Sequence, residues 1–192
     1  AQARSGNNVA AVYLDQNFKS VFGVIPIAQL FEINGKKVFA FAIAPFITLR
    51  CYEQIKIDLA GMNLPVTIVG VGAGFSYEDS GPTHHTLEDI SIMRILPNMK
   101  VNSITDNVMA SAFADMSCKM TGPNYLRLDR EVLPIVYKKE DDFSAGLAVL
   151  NPGNDICIIA AGNMVHRALE SAKELKNQSI EAKVIDLYTL PI

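Results

Sequence analysis

The sequence predicts an α/β fold: a parallel sheet covered on both faces, followed by a partial second α/β domain. Three observations carry that prediction. Short apolar runs of strand length alternate along the chain with stretches of helical periodicity. The run Val66 to Val71 (VTIVGV) is apolar enough to be buried on both faces, as a central parallel strand must be. It then loosens at Gly70, Gly72 and Gly74 into a polar loop that ends in Gly81-Pro82-Thr83-His84-His85, just before a helix. A strand, a glycine-rich loop and a helix start, in that order, place backbone N–H groups and two imidazoles at the carboxyl end of a sheet. That is where α/β folds hold ligands.

Val9 to Leu14 reads as a buried strand, with Asp15 at its carboxyl end, and residues 16 to 23 as loop. Pro26 suits the first turn of a short helix reaching Phe31. Asn34-Gly35-Lys36 turns into a strand over Val38 to Ala42. Pro45 precedes a helix from Ile47 to Ala60 whose Ile47, Cys51, Ile55 and Leu59 recur at spacing four. After the glycine-rich loop, Leu87, Ile90 and Met93 recur at spacing three, with Ile92 and Leu96 widening the apolar face until Pro97 stops the helix. Lys100-Val101 begins a strand, Thr105 or Asp106 caps a helix over Val108 to Met120, and Tyr125 to Leu128 is a short strand. Glu131 to Ser144 is mixed, with a charged cluster from Lys138 to Asp142, and reads as a linker. Beyond it, Ile156 to Ala160, Asn163 to Lys176 and Ala182 to Ile185 make a β-α-β unit. That unit stops almost as soon as it closes, which suggests that the second domain is incomplete. The division expected is 1–137 for the first domain, 138–150 for the linker and 151–192 for the second.

A chain of 192 residues, 49% hydrophobic and 19% charged, suffices for one sizeable core or two smaller ones. A formal charge of −3 without a basic cluster gives no reason to expect nucleic acid. No apolar run approaches the roughly 18 residues that a membrane-spanning helix needs. Cys51, Cys118 and Cys157 share no CxxC spacing and sit in largely apolar contexts, which reads as buried thiols in a reducing, cytoplasmic setting.

FITLRCYEQIKID (Phe46 to Asp58), LPVTIVGVGAG, GPTHH, EDISIMR and LPNMKV follow one another in that order. The series resembles the pyrimidine-binding domain of transketolase-like thiamine diphosphate enzymes. It is most similar to the split form, in which this domain and a carboxyl-terminal domain make one subunit. The resemblance runs from Val24 to Ile192. It implies that the cofactor's pyrimidine sits in this domain, while its diphosphate and Mg²⁺ sit in a partner subunit; no GDG-type metal motif occurs in this sequence. It also implies self-association and a sugar substrate. Phe46 resembles the aromatic residue that stacks on the pyrimidine. His84 resembles the histidine that contacts the substrate and takes part in catalysis. His85 beside it, and Arg130 of YLRLDR at a position that often grips a phosphate, are the further substrate residues the resemblance suggests. The activity implied is transfer of a two-carbon ketol unit from a ketose to an aldose.

Three departures from the family pattern stand out. The family's catalytic glutamate lies in a GIAEQ-like segment before a helix that ends in a glycine-lysine turn. Here VIPIAQLFEINGKKV matches that helix and turn, but Phe22-Gly23 precedes it directly, and Glu32 lies at the far end of the helix. The acidic residue usually found just before GPTH is Ser80, with Asp79 one place earlier, and the GVGAG loop carries no basic residue. Two other readings stay open: the β subunit of a 2-oxo acid dehydrogenase, and a non-catalytic homologue lacking the glutamate. On spacing alone, His84 and His85 could equally cap the next helix, Phe46 could be ordinary core, and Arg130 could be a surface ion-pair residue.

Overall fold

The computed structural model describes Gln2–Gly6, Val9–Tyr13 and residues 35–190. The loop expected over 16 to 23, the helix from Pro26, Glu32 and the junction at Phe22-Gly23 lie outside the described residues. Strands β1 (Gln2–Gly6) and β2 (Val9–Tyr13) pair antiparallel. QARSG has no apolar alternation, so β1 is not legible in the sequence. Parallel strands follow: β3 (Lys37–Ile43), β4 (Val66–Val71), β5 (Lys100–Ser103) and β6 (Asn124–Leu128). The sheet is therefore mixed at its edges and parallel at its centre.

Strand alternation divides the core in two. Val38, Ala40 and Ala42 of β3 face one side, packed with Ile47, Ile55, Leu59 and Met93. Phe39 and Phe41 turn to the other side, against a cluster that includes Met109 and Phe113. On β4 the residues Val66 to Gly70 are buried throughout, as a strand covered on both faces requires.

The helix expected over Ile47 to Ala60 starts earlier and is broken. Helix α1 (Ala44–Thr48) carries Pro45 in its first turn, where a missing N–H costs nothing. Thr48 Oγ1 donates to the Ala44 carbonyl at 2.7 Å. After a turn at Leu49 to Cys51, α2 (Tyr52–Gln54) runs into a π-helical stretch, Ile55–Gly61. A spacing of four drifts by about 40° per repeat in a regular α-helix, so the widened turns keep the later residues on the sheet-facing side. Ile47, Cys51, Ile55 and Leu59 are all fully buried.

Helix α3 (Asp89–Arg94) also departs from its apolar pattern. Leu87 precedes the helix and is 59% exposed, while Asp89 is 1% exposed. Asp106 caps α4 (Asn107–Ser117), accepting from the Met109 N–H at 2.8 Å. Of the thiols, Cys51 is buried, Cys118 intermediate and Cys157 exposed, so the expectation of three buried thiols fails.

The residues read as linker are packed. Tyr137 and Phe143 are buried in the second core, and the Val136 and Tyr137 N–H groups donate to Asp106 Oδ2 at 2.7 and 2.8 Å. Strand β7 (Leu147–Asn151) begins within the stretch 138–150 and pairs antiparallel with β9 (Ala182–Leu187). Strand β8 (Ile156–Ala160) lies parallel on the other side of β9, linked to it by α5 (Met164–Lys176). The chain then returns to the first sheet as β10 (Thr189–Leu190), antiparallel to β5. The seven-stranded order is β1-β2-β3-β4-β6-β5-β10, and the small sheet runs β7-β9-β8.

A buried carboxylate closes the joint between the two sheets. Asp186, fully buried near the end of β9, accepts from Thr105 Oγ1 at 2.6 Å and from Tyr137 Oη at 2.8 Å, both on Oδ2. Oδ1 has no partner. Burial pushes this carboxyl up to about 6, with the two hydroxyls and His166 opposing and Asp106 adding to the rise. A carboxyl whose folded value exceeds its unfolded one destabilises the protein as pH rises from about 4 to about 6, and the penalty is complete above that window. Asp186→Asn keeps an acceptor for both hydroxyls without the charge. The variant is expected to melt higher than the parent at pH 7.5, by about 1–3 kcal/mol, and to lose that advantage near pH 4. Thermal midpoints at the two pH values test this; an Asp186→Asn variant no more stable than the parent at pH 7.5 would refute it.

Candidate active site

The carboxyl ends of β3, β4 and β6 converge on one mouth. Helix α1 starts directly where β3 ends, which brings Phe46 there, half-buried. At the end of β4, Gly72 has φ +93°, and its N–H donates to the Leu128 carbonyl of β6 at 3.0 Å. A Cβ at this position would run into the Tyr77 ring, so glycine serves both the backbone and the aromatic packed on it.

The polar loop is closed at its base. Gly74 and Thr86 exchange backbone hydrogen bonds at 3.0 and 2.9 Å. Below that closure Asp89 Oδ2 accepts from Tyr125 Oη and from Arg127 Nε, each at 2.7 Å. Arg127 Nη2 also reaches the Thr86 carbonyl at 3.4 Å. Burial, followed by the Asp89 charge, raises the Tyr125 phenol well above its ordinary value, so it remains a donor. The base of the loop thus rests on a hydrogen-bonded ion pair.

His84 lies against Phe46, with ring centroids 4.9 Å apart and planes at 68°, and stands 6.0 Å from the Tyr77 ring. Thr83 Oγ1 sits 3.0 Å from His84 Nδ1. With that hydroxyl donating, the ring proton belongs on Nε2. His85 takes a different neighbour, the Phe75 ring at 4.9 Å, and its Nε2 is buried without a partner. Arg130 places its guanidinium 4.9 Å over Tyr77, donates to the Ser76 carbonyl at 3.4 Å and is exposed. Arg50 stands 4.1 Å over the Phe46 ring. The structure therefore brings His84 and Phe46 into contact, links Arg130 to them through Tyr77, and seats His85 on Phe75.

Sequence reading missed Asp89, Arg127 and Tyr77. Asp89 precedes the apolar Met93 by four residues and so shares its helical face, which was the available signal. Arg127 shares a strand face with buried Tyr125 by alternation. Nothing in SYEDS marks Tyr77. Among the described residues no three His, Cys, Asp or Glu side chains cluster as a metal site would require. None of the helices there is long and apolar enough to cross a membrane.

A parallel α/β sheet with an aromatic and a histidine in contact at its carboxyl mouth belongs to the class of α/β folds that bind ligands at the carboxyl ends of their strands. Residues 23–136 match the transketolase pyrimidine-binding domain, and 146–191 match the transketolase C-terminal domain. An apulose-4-phosphate transketolase subunit from Phocaeicola vulgatus is 36% identical over 159 residues, 82% of this chain and 51% of its own length. The 6-deoxy-6-sulfo-D-fructose transketolase subunit SqwH of Clostridium sp. is 34% identical over 168 residues, 87% of this chain and 52% of its own. A solved split-gene transketolase, an inactive β4 tetramer, superposes with a TM-score of 0.80 at 30% identity, covering 92% of this chain and 64% of that one. The chain belongs to the transketolase family and is similar to the subunits of its split members. It spans about half the length of these curated relatives.

Proposed function

We propose that this chain is part of a split transketolase-like transferase that moves a two-carbon ketol unit from a ketose donor to an aldose acceptor. A diphosphate-binding partner subunit completes the active site. The observation that carries this reading is the contact between His84 of GPTHH and Phe46 at 4.9 Å, at the carboxyl mouth of the sheet. The inactive β4 assembly of the solved relative supports both self-association and the need for a second kind of subunit.

In this reading Phe46 holds the pyrimidine ring of thiamine diphosphate. That group, when bound, would supply the electron sink needed to break the donor's carbon–carbon bond. His84, fixed through Nδ1 by Thr83, presents Nε2 to the hydroxyls or carbonyl of the donor. Arg130 at the rim offers a cation to an anionic end of the substrate. His85 serves the site by seating the loop on Phe75, with its substrate contact made only if the ring turns out. Its compartment in this reading is the cytoplasm, where three free thiols persist. Split ketol transferases among the relatives favour this over a 2-oxo acid dehydrogenase β subunit.

Calorimetry provides the test. Thiamine diphosphate is expected to bind this chain weakly alone and tightly once the partner subunit and Mg²⁺ are added. Equal affinity in both conditions would sink the shared-site reading. Turnover of a 2-oxo acid in place of a ketose would favour the alternative enzyme. Tight binding without C2 deprotonation in the complete assembly would identify a non-catalytic homologue.

A further inference from the structure

We propose that Asp129 is the positioning residue for His84, and that it makes the place of that histidine depend on the seating of the second α/β unit. The proposal deepens the reading above and rests on it for the role of His84. Asp129 follows the end of β6 and divides its carboxylate between two parts of the chain. Oδ1 accepts from Ser76 Oγ at 3.1 Å and from the Glu131 N–H at 3.2 Å. Oδ2 accepts from Asn163 Nδ2 at 2.6 Å. Ser76 belongs to the loop that carries His84, and Asn163 stands at the start of α5 in the second unit.

Ser76 has one hydroxyl proton within reach of two acceptors, the Ala73 carbonyl at 2.7 Å and Asp129. The next residue is Tyr77, whose ring lies over Gly72 and 6.0 Å from His84. Arg130 stands over that same ring and donates to the Ser76 carbonyl. The consecutive pair Asp129-Arg130 therefore grips the consecutive pair Ser76-Tyr77, and Tyr77 is one of the two rings against which His84 rests.

Asn163 provides the independent observation. It occupies the N-cap position of α5, where an asparagine ordinarily accepts from its own helix's free N–H groups. Here its backbone is helical (φ −60°, ψ −26°), its side chain makes no cap, and its amide donates to Asp129 across the joint. A short amide–carboxylate bond at the start of α5 ties the second unit to the residue that holds the loop. Any shift of α5 acts on Asp129, then Ser76 and Tyr77, and so on His84.

The chain has three histidines, so the imidazole carbon-bound protons of the full-length protein can be followed by NMR, with His84→Gln to identify the His84 signal. Asp129→Ala and Asn163→Ala are each expected to shift that signal while circular dichroism stays unchanged. In the assembly with the partner subunit, KM for the ketose donor is expected to rise about tenfold, with kcat altered by less than about threefold. Asp129→Asn alone keeps an oxygen for Ser76 but sets its amide against that of Asn163, so it is expected to behave as Asn163→Ala does; adding Asn163→Asp, whose carboxylate accepts from the new amide, is expected to restore both. An unmoved His84 signal together with an unmoved KM in both alanine variants overturns the proposal. Should Asp129→Ala fail to fold, Asn163→Ala decides alone, since it removes only the Oδ2 contact. A His84 shift in a complete assembly that transfers no ketol unit supports the tether and refutes the functional reading beneath it.

Discussion

Replacing His84 by alanine is expected to lower kcat/KM for the ketose donor by at least about 100-fold in the assembled enzyme, within the range for losing a positioned proton-handling group. The reason is geometric. His84 makes an edge contact with Phe46, and Thr83 holds its Nδ1, so Nε2 is presented in one orientation. On the proposed function, removing the imidazole would leave the donor's hydroxyls or carbonyl without that partner, whereas the loop stays closed through Gly74 and Thr86. His84→Ala should therefore fold as the parent does, and its cofactor affinity should change little. Steady-state kinetics with saturating cofactor and partner measure the effect. An alanine variant with donor kcat/KM within a few-fold of the parent would remove His84 from the site.

Arg127→Met should destabilise the fold strongly, by about 3–5 kcal/mol. Asp89 is 1% exposed, and both of its donors, Tyr125 Oη and Arg127 Nε, lie on one oxygen. Methionine preserves much of the arginine stem's packing but strands a buried carboxylate with a single neutral donor, while the other oxygen already lacks a partner. At about 2–4 °C per kcal/mol for a chain of this size, the midpoint should fall by roughly 10 °C. Asp89→Asn combined with Arg127→Met should recover a large part of the loss, because the orphan is then neutral. Thermal or urea denaturation of the two variants tests this. A single variant within about 1 kcal/mol of the parent would mean that the pair contributes little.

The same pair shows why the floor of the site was hard to read. In LEDISIMR the apolar residues suggest a face through Leu87, Ile90 and Met93, yet the buried face runs through Asp89, Met93 and on to Leu96. Apolar periodicity assigns a charged residue to solvent unless a partner is known. That partner is Arg127, which lies on a strand 38 residues away. Tyr77 and Asp129 were hidden for a similar reason. Their neighbours Gly72, His84, Ser76 and Asn163 come from separate parts of the chain. By contrast, strands Val66–Val71 and Ile156–Ala160 and a cap at Thr105 or Asp106, which the structure gives to Asp106, were legible, because each depends on a few consecutive residues.

The sequence by itself determined the alternation of strands and helices, the spacing that buries Ile47, Cys51, Ile55 and Leu59, and the glycine-rich opening that leads to His84. These follow from local chemistry: side-chain period, glycine's tolerance of positive φ, and proline's fit to a first helical turn. Only the tertiary structure decided that Phe46 touches His84, that His85 rests on Phe75, and that β10 crosses back to pair with β5. It also decided that the residues read as linker pack around Asp106 and Asp186. Those outcomes depend on which polar groups meet once the sheets are closed, and buried polar groups find partners by position in space, not by spacing along the chain.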